Sequence, residues 1–195
     1  MSCCTNKFKI CVINCFTKRS YLRPDFKIII LSVLLFTMAT ANFDFGMIGL
    51  GVMGRNFILN VADHGFSAIG LDRDEQQVSA LREEGSGKPV EGTSDTAAFV
   101  KALSSPRKIM LLVPAGGIVD AVIDDLLPLL DKGDLIIDGG NSYFEDTNRR
   151  FERLADSGVH FMGIGVSGGA EGARKGPSMM PGGPQEGYTL VQPIL

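Results

Sequence analysis

The stretch Gly49-Leu50-Gly51-Val52-Met53-Gly54 decides the fold of this chain. It follows a short apolar run at residues 43–49 and precedes residues 52–64, whose apolar side chains recur with helical spacing. A glycine pattern between a strand and a helix is typical of a loop that lets the backbone approach a pyrophosphate. The stretch therefore predicts a dinucleotide site, with the phosphates on the free amides at the helix start.

Each glycine of this loop has its own expected role. Gly49 allows the tight turn after the strand, and Gly51 lets the backbone approach the pyrophosphate. Gly54 lets the helix pack closely on the strand. The other residues of the predicted cofactor loop are Leu50, Val52 and Met53.

Strands and helices alternate through the rest of the sequence. Apolar runs predict further strands at residues 67–71, 108–113, 135–138 and 160–166. Helical periodicity predicts helices at residues 74–84, 93–103, 118–130 and 144–156, with Thr93 or Ser94 as a cap for the second of these. This alternation predicts an α/β fold with a Rossmann-type, doubly wound and mostly parallel sheet, whose ligands lie beyond the carboxyl ends of the strands.

Residues 1–41 differ from the rest of the chain and are expected to lie outside the fold, which leaves 42–195 as the folded domain. They hold all four cysteines, six basic residues and one acidic residue, a net charge of +5. The apolar run at 28–36 is too short to span a bilayer, but with Ala39-Thr40-Ala41 it resembles a secretory signal. Because Met38 would be an ordinary start for a cytoplasmic protein, we interpret residues 1–37 as an upstream extension of the reading frame, in preference to a targeting or membrane segment.

The composition of residues 42–195 excludes several functions. This part has 13 basic and 21 acidic residues, a net charge of −8, which argues against a broad nucleic-acid surface. It contains no cysteine, and we expect no metal site in it.

The second predicted strand ends at Asp72-Arg73-Asp74, 18 residues after Gly54. A carboxylate at this point usually accepts from the ribose 2′-hydroxyl and favours NAD. A guanidinium at the next position favours NADP, because it can bind a 2′-phosphate. The sequence thus leaves both cofactors open, and all three residues are candidate cofactor contacts.

Further motifs carry a family resemblance over residues 43–195. Together with residues 47–56, they make the chain similar to the 6-phosphogluconate dehydrogenase family of the β-hydroxyacid dehydrogenase superfamily. The stretch at residues 176–183 separates this family from the hydroxyisobutyrate-type relatives. The other motifs are Leu112-Val113-Pro114-Ala115-Gly116, Asp138-Gly139-Gly140-Asn141-Ser142, residues 165–169 and residues 171–174.

The resemblance implies binding roles for three of these loops. Val113, Pro114 and Ala115 would pass the cofactor, which is NADP in the family, and Asn141 would contact both the nicotinamide and the substrate. The substrate, 6-phosphogluconate, would also meet the turn Ser167-Gly168-Gly169. The chain departs from the family pattern at Pro114, where lysine is common, and at residues 72–74, where Asn-Arg-Thr is common.

The implied reaction is the oxidative decarboxylation of 6-phosphogluconate to ribulose 5-phosphate in the pentose phosphate pathway. The family's lysine base and glutamate acid lie on a later helix, so the resemblance places them after Leu195 and assigns no catalytic residue to this chain. The family's helical domain, through which it forms homodimers, would follow as well. We therefore expect a cofactor-binding part of such an oxidoreductase, inactive alone. The alternatives are a non-catalytic dinucleotide-binding protein and a fragment of another β-hydroxyacid dehydrogenase.

Overall fold

The computed structural model describes residues 42–195, and the short apolar segments of this part pair into one sheet. The strands are β1 (Phe45–Ile48), β2 (Ala68–Leu71), β3 (Val90–Thr93), β4 (Lys108–Leu111), β5 (Leu135–Asp138), β6 (His160–Ser167) and β7 (Ser178–Gly182). Their order is β3-β2-β1-β4-β5-β6-β7. Strands β1 to β6 are parallel, and β7 pairs with β6 in the antiparallel sense.

Helices connect the strands and cover both faces of the sheet. They are α1 (Val52–Asp63), α2 (Glu75–Glu84), α3 (Thr96–Lys101), α4 (Gly117–Leu126), α5 (Phe144–Leu154), α6 (Gly169–Lys175) and α7 (Gln185–Val191). Short 3-10 turns extend α4 to Leu129 and α5 to Ser157. The prediction of a doubly wound, mostly parallel α/β sheet is confirmed.

Two apolar cores lie on opposite faces of the sheet because side chains alternate along each strand. Phe45 and Met47 of β1 pack into the core shared with α1, α2, α6 and α7, whereas Ile48 packs into the core shared with α3, α4 and α5. The central strands β1, β2 and β5 are buried along their whole length. Such burial on both faces explains their near-continuous apolar sequences.

The structure corrects the predicted helix at residues 93–103. Its first residue, Thr93, pairs with Leu71 as the end of β3, a strand that the sequence analysis missed. The helix begins only at Thr96, and neither Thr93 nor Ser94 caps it. The cap is Asp95, whose side chain accepts a hydrogen bond from the Ala98 amide at 3.0 Å.

The predicted leader at residues 1–41 and its alternatives lie outside the described residues. Within residues 42–195, no helix combines the length and the apolar character that crossing a membrane requires.

Candidate cofactor-binding site

The glycine loop joins β1 to α1 at the carboxyl edge of the sheet, and its three glycines meet different surroundings. Gly49 has a φ of 95°, and a Cβ there would lie 2.4 Å from the Leu112 carbonyl oxygen. A Cβ on Gly54 would lie 1.9 Å from the Gly49 carbonyl oxygen, so this helix packs against the loop only with glycine at that position. A Cβ on Gly51 would meet no atom within 4 Å. Gly51 therefore borders open space at the helix start, as a loop that receives a ligand requires.

Leu50, the second residue of the loop, is held at both of its backbone polar groups. Its amide donates to Asp72 Oδ2 at 2.7 Å, and its carbonyl oxygen accepts from Arg55 Nη1 at 2.8 Å. The Leu50 side chain is fully buried and fills the space beside Gly70, where a Cβ would lie 2.6 Å from Leu50 Cδ2. Arg55 also binds Glu84 on α2 at 3.1 Å. The loop is thus fixed before any ligand arrives.

The start of α1 leaves its first amides available to an anion. Its cap residue, Gly51, provides no side-chain acceptor, and the first turn contains no acidic residue. A 12-residue helix with a free N-terminus carries a partial positive charge at that end. This end of α1 is therefore suited to a phosphate group.

A cleft of about 350 Å³ lies next to the glycine loop. Its walls come from the segments that follow β1, β2, β3 and β4, and the strand order changes direction between β1 and β4. Open α/β sheets bind ligands at such a switch point. The cleft brings together six of the predicted cofactor residues, which are Gly49, Gly51, Asp72, Arg73, Val113 and Pro114.

Asp72 and Arg73 differ in their surroundings at the mouth of this cleft. Both Asp72 carboxylate oxygens accept backbone hydrogen bonds, one from Leu50 and one from the Asp74 amide at 3.0 Å. The Arg73 side chain is 84 % exposed and donates to Asp125 Oδ2 at 3.1 Å. Asp74 caps α2 by accepting from the Gln76 amide. The Asp72 carboxylate is therefore held by the backbone of the loop, whereas the exposed Arg73 guanidinium can contact a ligand in the cleft.

The predicted residues after β5 and β6 lie further along the same sheet edge. Asn141 is exposed in the loop after β5, and Ser167 ends β6 next to Gly168 and Gly169, which are exposed as well. Because β1, β4, β5 and β6 run parallel, these segments follow the same edge as the glycine loop. They do not line the cleft. The structure therefore separates the predicted residues into a cleft group and a second group beyond it.

A buried arginine that the sequence analysis missed contacts the loops that follow β4 and β5 at this edge of the sheet. Arg150 of α5 has a fully buried side chain. Its Nε and Nη2 bind the two carboxylate oxygens of Asp120, each at 3.0 Å. Its Nη1 reaches Asp138 at 3.3 Å and Ser142 at 3.2 Å. These three side-chain partners are 8 to 30 residues away in the sequence, so no local sequence pattern indicates them.

The same network determines the charge state of Asp120. Hydrogen bonds from Arg150, and then from Arg149, hold the pKa of the Asp120 carboxyl far below its ordinary value of 3.8. The pKa of Arg149 is raised in turn by its hydrogen bond to Asp120. Asp120 therefore stays ionised at neutral pH and keeps the buried guanidinium compensated.

Residues 42–195 contain no group of three or more His, Cys, Asp or Glu side chains arranged to hold a metal ion.

The sheet order, the glycine loop and the cleft at the switch point together define a dinucleotide-binding domain of the Rossmann type.

The comparisons with known proteins identify the family within this class. Residues 44–195 match the family model described as the NAD binding domain of 6-phosphogluconate dehydrogenase. The chain therefore belongs to the 6-phosphogluconate dehydrogenase family, as its motifs indicated.

Individual relatives agree with this assignment. A decarboxylating 6-phosphogluconate dehydrogenase of Saccharomyces cerevisiae is 53 % identical over 153 residues, which are 78 % of this chain and 31 % of the relative. The NADP(+)-dependent, decarboxylating enzyme of Bacillus subtilis is 53 % identical over 150 residues, or 77 % and 32 % of the two chains. The chain thus spans about a third of the length of these relatives.

Solved structures show the same fold. Plasmodium falciparum 6-phosphogluconate dehydrogenase, described with its cofactor NADP+ and its substrate 6-phosphogluconate, superposes with a TM-score of 0.75 at 37 % identity. The match covers 77 % of this chain and 33 % of that one. A 3-hydroxyisobutyrate dehydrogenase of Salmonella typhimurium shares the fold with a TM-score of 0.67 at 24 % identity, over 77 % of this chain and 51 % of that one.

Proposed function

We propose that this chain binds NADP as the cofactor domain of a 6-phosphogluconate dehydrogenase. The observation that carries the proposal is the junction of a free helix start, an open Gly51 and a cleft at the switch point of the sheet. The pyrophosphate would lie on the amides at the start of α1, and the adenosine half would occupy the cleft. The remaining predicted loop residues, Leu50, Val52, Met53 and Gly54, would form the floor and first turn of this phosphate site.

The proposed choice of NADP over NAD rests on the different surroundings of Asp72 and Arg73. A ribose 2′-phosphate needs a cation that can leave its present partner at low cost. Arg73 meets this need, because its pair with Asp125 is exposed and such pairs contribute only about 0–1 kcal/mol. Asp72 already accepts two backbone amides, so it is less available to a 2′-hydroxyl.

The nicotinamide half and the substrate would lie beyond the cleft, along the loops after β4, β5 and β6. Val113, Pro114 and Ala115 would pass the cofactor. Asn141 would orient the nicotinamide and a sugar hydroxyl, since its amide can donate and accept. The turn Ser167-Gly168-Gly169 would bind the sugar acid through its hydroxyl and amides. Bound NADP would accept a hydride, and the residues named here would hold both molecules in position for that transfer.

For the whole protein we propose the oxidative decarboxylation of 6-phosphogluconate. This proposal is supported by the family match over residues 44–195, by the relatives' 53 % identity over 153 and 150 residues, and by the Plasmodium falciparum structure, which is described with both NADP+ and 6-phosphogluconate. The base and acid of the reaction would come from segments equivalent to those that follow this region in the relatives. We expect the described residues to bind both molecules, and a NADPH absorbance assay with 6-phosphogluconate tests the proposed reaction.

Calorimetric titration of the full chain with NADP and with NAD tests the cofactor proposal. We expect NADP to bind more tightly, and Arg73→Ala to weaken NADP about tenfold or more while leaving NAD nearly unchanged, because a charge-assisted contact contributes about 1.5–3 kcal/mol. Lys101→Ala is the matched control, since it removes an exposed cation at the last residue of α3, outside the cleft lining.

Three outcomes would contradict this proposal in different ways. Absence of binding by either cofactor would refute the dinucleotide site itself. Equal affinities in the wild type would refute the preference for NADP. An unchanged NADP-to-NAD ratio in Arg73→Ala would refute the role of Arg73 in that preference.

We further propose that the protein is cytoplasmic, because Met38 would be an ordinary start for a cytoplasmic protein. N-terminal sequencing of the native protein tests this. A start at Met38 agrees with the proposal, whereas a mature start at Asn42 would indicate a cleaved signal and contradict it.

A further inference from the structure

Arg150 spans the loops that follow two neighbouring strands. Its Nη2 donates to the Gly116 carbonyl oxygen at 2.9 Å, and Gly116 is the cap residue of α4 at the end of the loop after β4. Its Nη1 reaches Ser142 and Asp138 in the loop after β5. Asp120 fixes the guanidinium itself through two parallel hydrogen bonds. One buried side chain therefore contacts both loops.

The loop after β5 is organised around the Asp138 carboxylate, which Arg150 also contacts. Asp138 Oδ1 accepts from the Gly140 amide at 3.1 Å, and its Oδ2 accepts from the Ser142 hydroxyl at 2.6 Å. The loop also lies against its neighbour, because a Cβ on Gly140 would be 3.1 Å from the Val113 carbonyl oxygen. Asn141, which has an exposed side chain, lies between two residues that this network holds.

Stability alone gives a weak reason for such a network. Burying the Arg150 guanidinium and the Asp138 carboxylate costs desolvation energy that the ion pairs roughly offset, and apolar residues of similar size often stabilise a fold equally well. What a planar five-donor group provides in addition is fixed geometry toward several acceptors at once. Lysine cannot reproduce it, since its ammonium group is a point charge.

We propose that Arg150 is a positioning residue that ties the loop of Val113–Gly116 to the loop of Gly139–Ser142. The two loops then keep one relative position, so that the cofactor contacts on the first and Asn141 on the second face the ligands as one surface. The linkage itself rests on the geometry above. Its consequence for ligand binding rests on the proposed function.

Hydrogen exchange of the full chain, resolved by residue, tests the linkage without any ligand. The Val119 amide donates to the Gly116 carbonyl oxygen at 3.1 Å and reports on the first loop, while the Gly140 amide reports on the second. We expect Arg150→Lys to accelerate exchange about tenfold at both amides, because it loses charge-assisted hydrogen bonds to both loops. Ser142→Ala should accelerate exchange at Gly140 only.

Arg149→Gln is the matched control. Arg149 neighbours Arg150 on α5 and binds the same Asp120, yet its side chain is 51 % exposed and its hydrogen bonds go to Asp120 and Asp146. This variant should leave both amides unchanged. Amides of α1 report on global stability in every variant.

The proposal is overturned if Arg150→Lys accelerates exchange at one loop alone, or to the same extent at both loops and in α1. If the lysine variant fails to fold, Ser142→Ala still tests the linkage, because unchanged exchange at the Gly140 amide would show that the contacts of Arg150, Asp138 and Ser142 do not hold the second loop. Titration with NADP and 6-phosphogluconate separates the two proposals. A wild type that binds neither refutes the function, whereas unchanged affinities in Arg150→Lys with altered exchange refute only the consequence for binding.

Discussion

Substitution of Asp72 by alanine tests whether this carboxylate braces the glycine loop or selects the cofactor. The change removes the acceptors of the Leu50 and Asp74 amides. The Leu50 amide lies in a partly buried loop, and an amide left without an acceptor there costs about 1–3 kcal/mol. For a domain of this size, a loss of about 2 kcal/mol lowers the melting temperature by roughly 4–8 °C.

The same change should weaken NAD and NADP by similar factors, because both cofactors need the loop in one position. Differential scanning fluorimetry and calorimetric titration measure the two effects. Asp156→Ala is the control: this exposed residue in the 3-10 turn after α5 should leave both quantities unchanged within about 0.5 kcal/mol. An unchanged melting temperature together with a loss confined to NAD would show that Asp72 reads the ribose, and would refute the brace.

Three further predictions follow from the geometry. Gly54→Ala should lower the melting temperature by several degrees, since overpacking against backbone costs about 1–3 kcal/mol, whereas Gly51→Ala should keep the fold and weaken the binding of NADP. Equal losses of stability in the two variants would contradict this prediction. The difference in free energy of unfolding between wild type and Asp120→Asn should be constant above about pH 5 and shrink as the pH falls through 3.8 and below, because a carboxyl with a lowered pKa stabilises the fold only while it is ionised. Urea midpoints that differ by the same amount at every pH would refute this prediction. Asp125→Ala should bind NADP up to about fivefold more tightly, because it releases Arg73 and removes a negative charge from the cleft, and a weaker affinity by calorimetry would contradict this.

The interior of the fold could be predicted from the sequence because burial leaves a pattern. Strand β5 is buried at all four positions and was predicted with its observed bounds. Strand β3 was missed because only Gly92 of its four residues is buried, so it has no apolar run. Strand β7 is mostly exposed and contains Pro181, which an edge strand tolerates. Both outer strands are held by backbone hydrogen bonds, which any residue type can form, so they leave no apolar pattern in the sequence.

The candidate site divides in the same way. Gly49 and Gly54 could be predicted because a positive φ and a close approach of two backbones each demand glycine. The side-chain braces could not, because Arg55 and Arg150 take partners that only the packed sheet brings near. The sequence likewise left Asp72 and Arg73 as equal candidates, since adjacency in the chain does not tell which side chain turns inward.

The exposure of Arg73 has a consequence for how this domain can change over evolution. A side chain that is 84 % exposed and bound to one exposed carboxylate can be replaced with little loss of folding free energy. Gly49, Gly54 and the braced Leu50 do not have this freedom, because a change at any of them disturbs the backbone or the packing of the loop. Mutational drift can therefore revise which nucleotide the cleft prefers, while the loop beneath it stays under purifying constraint.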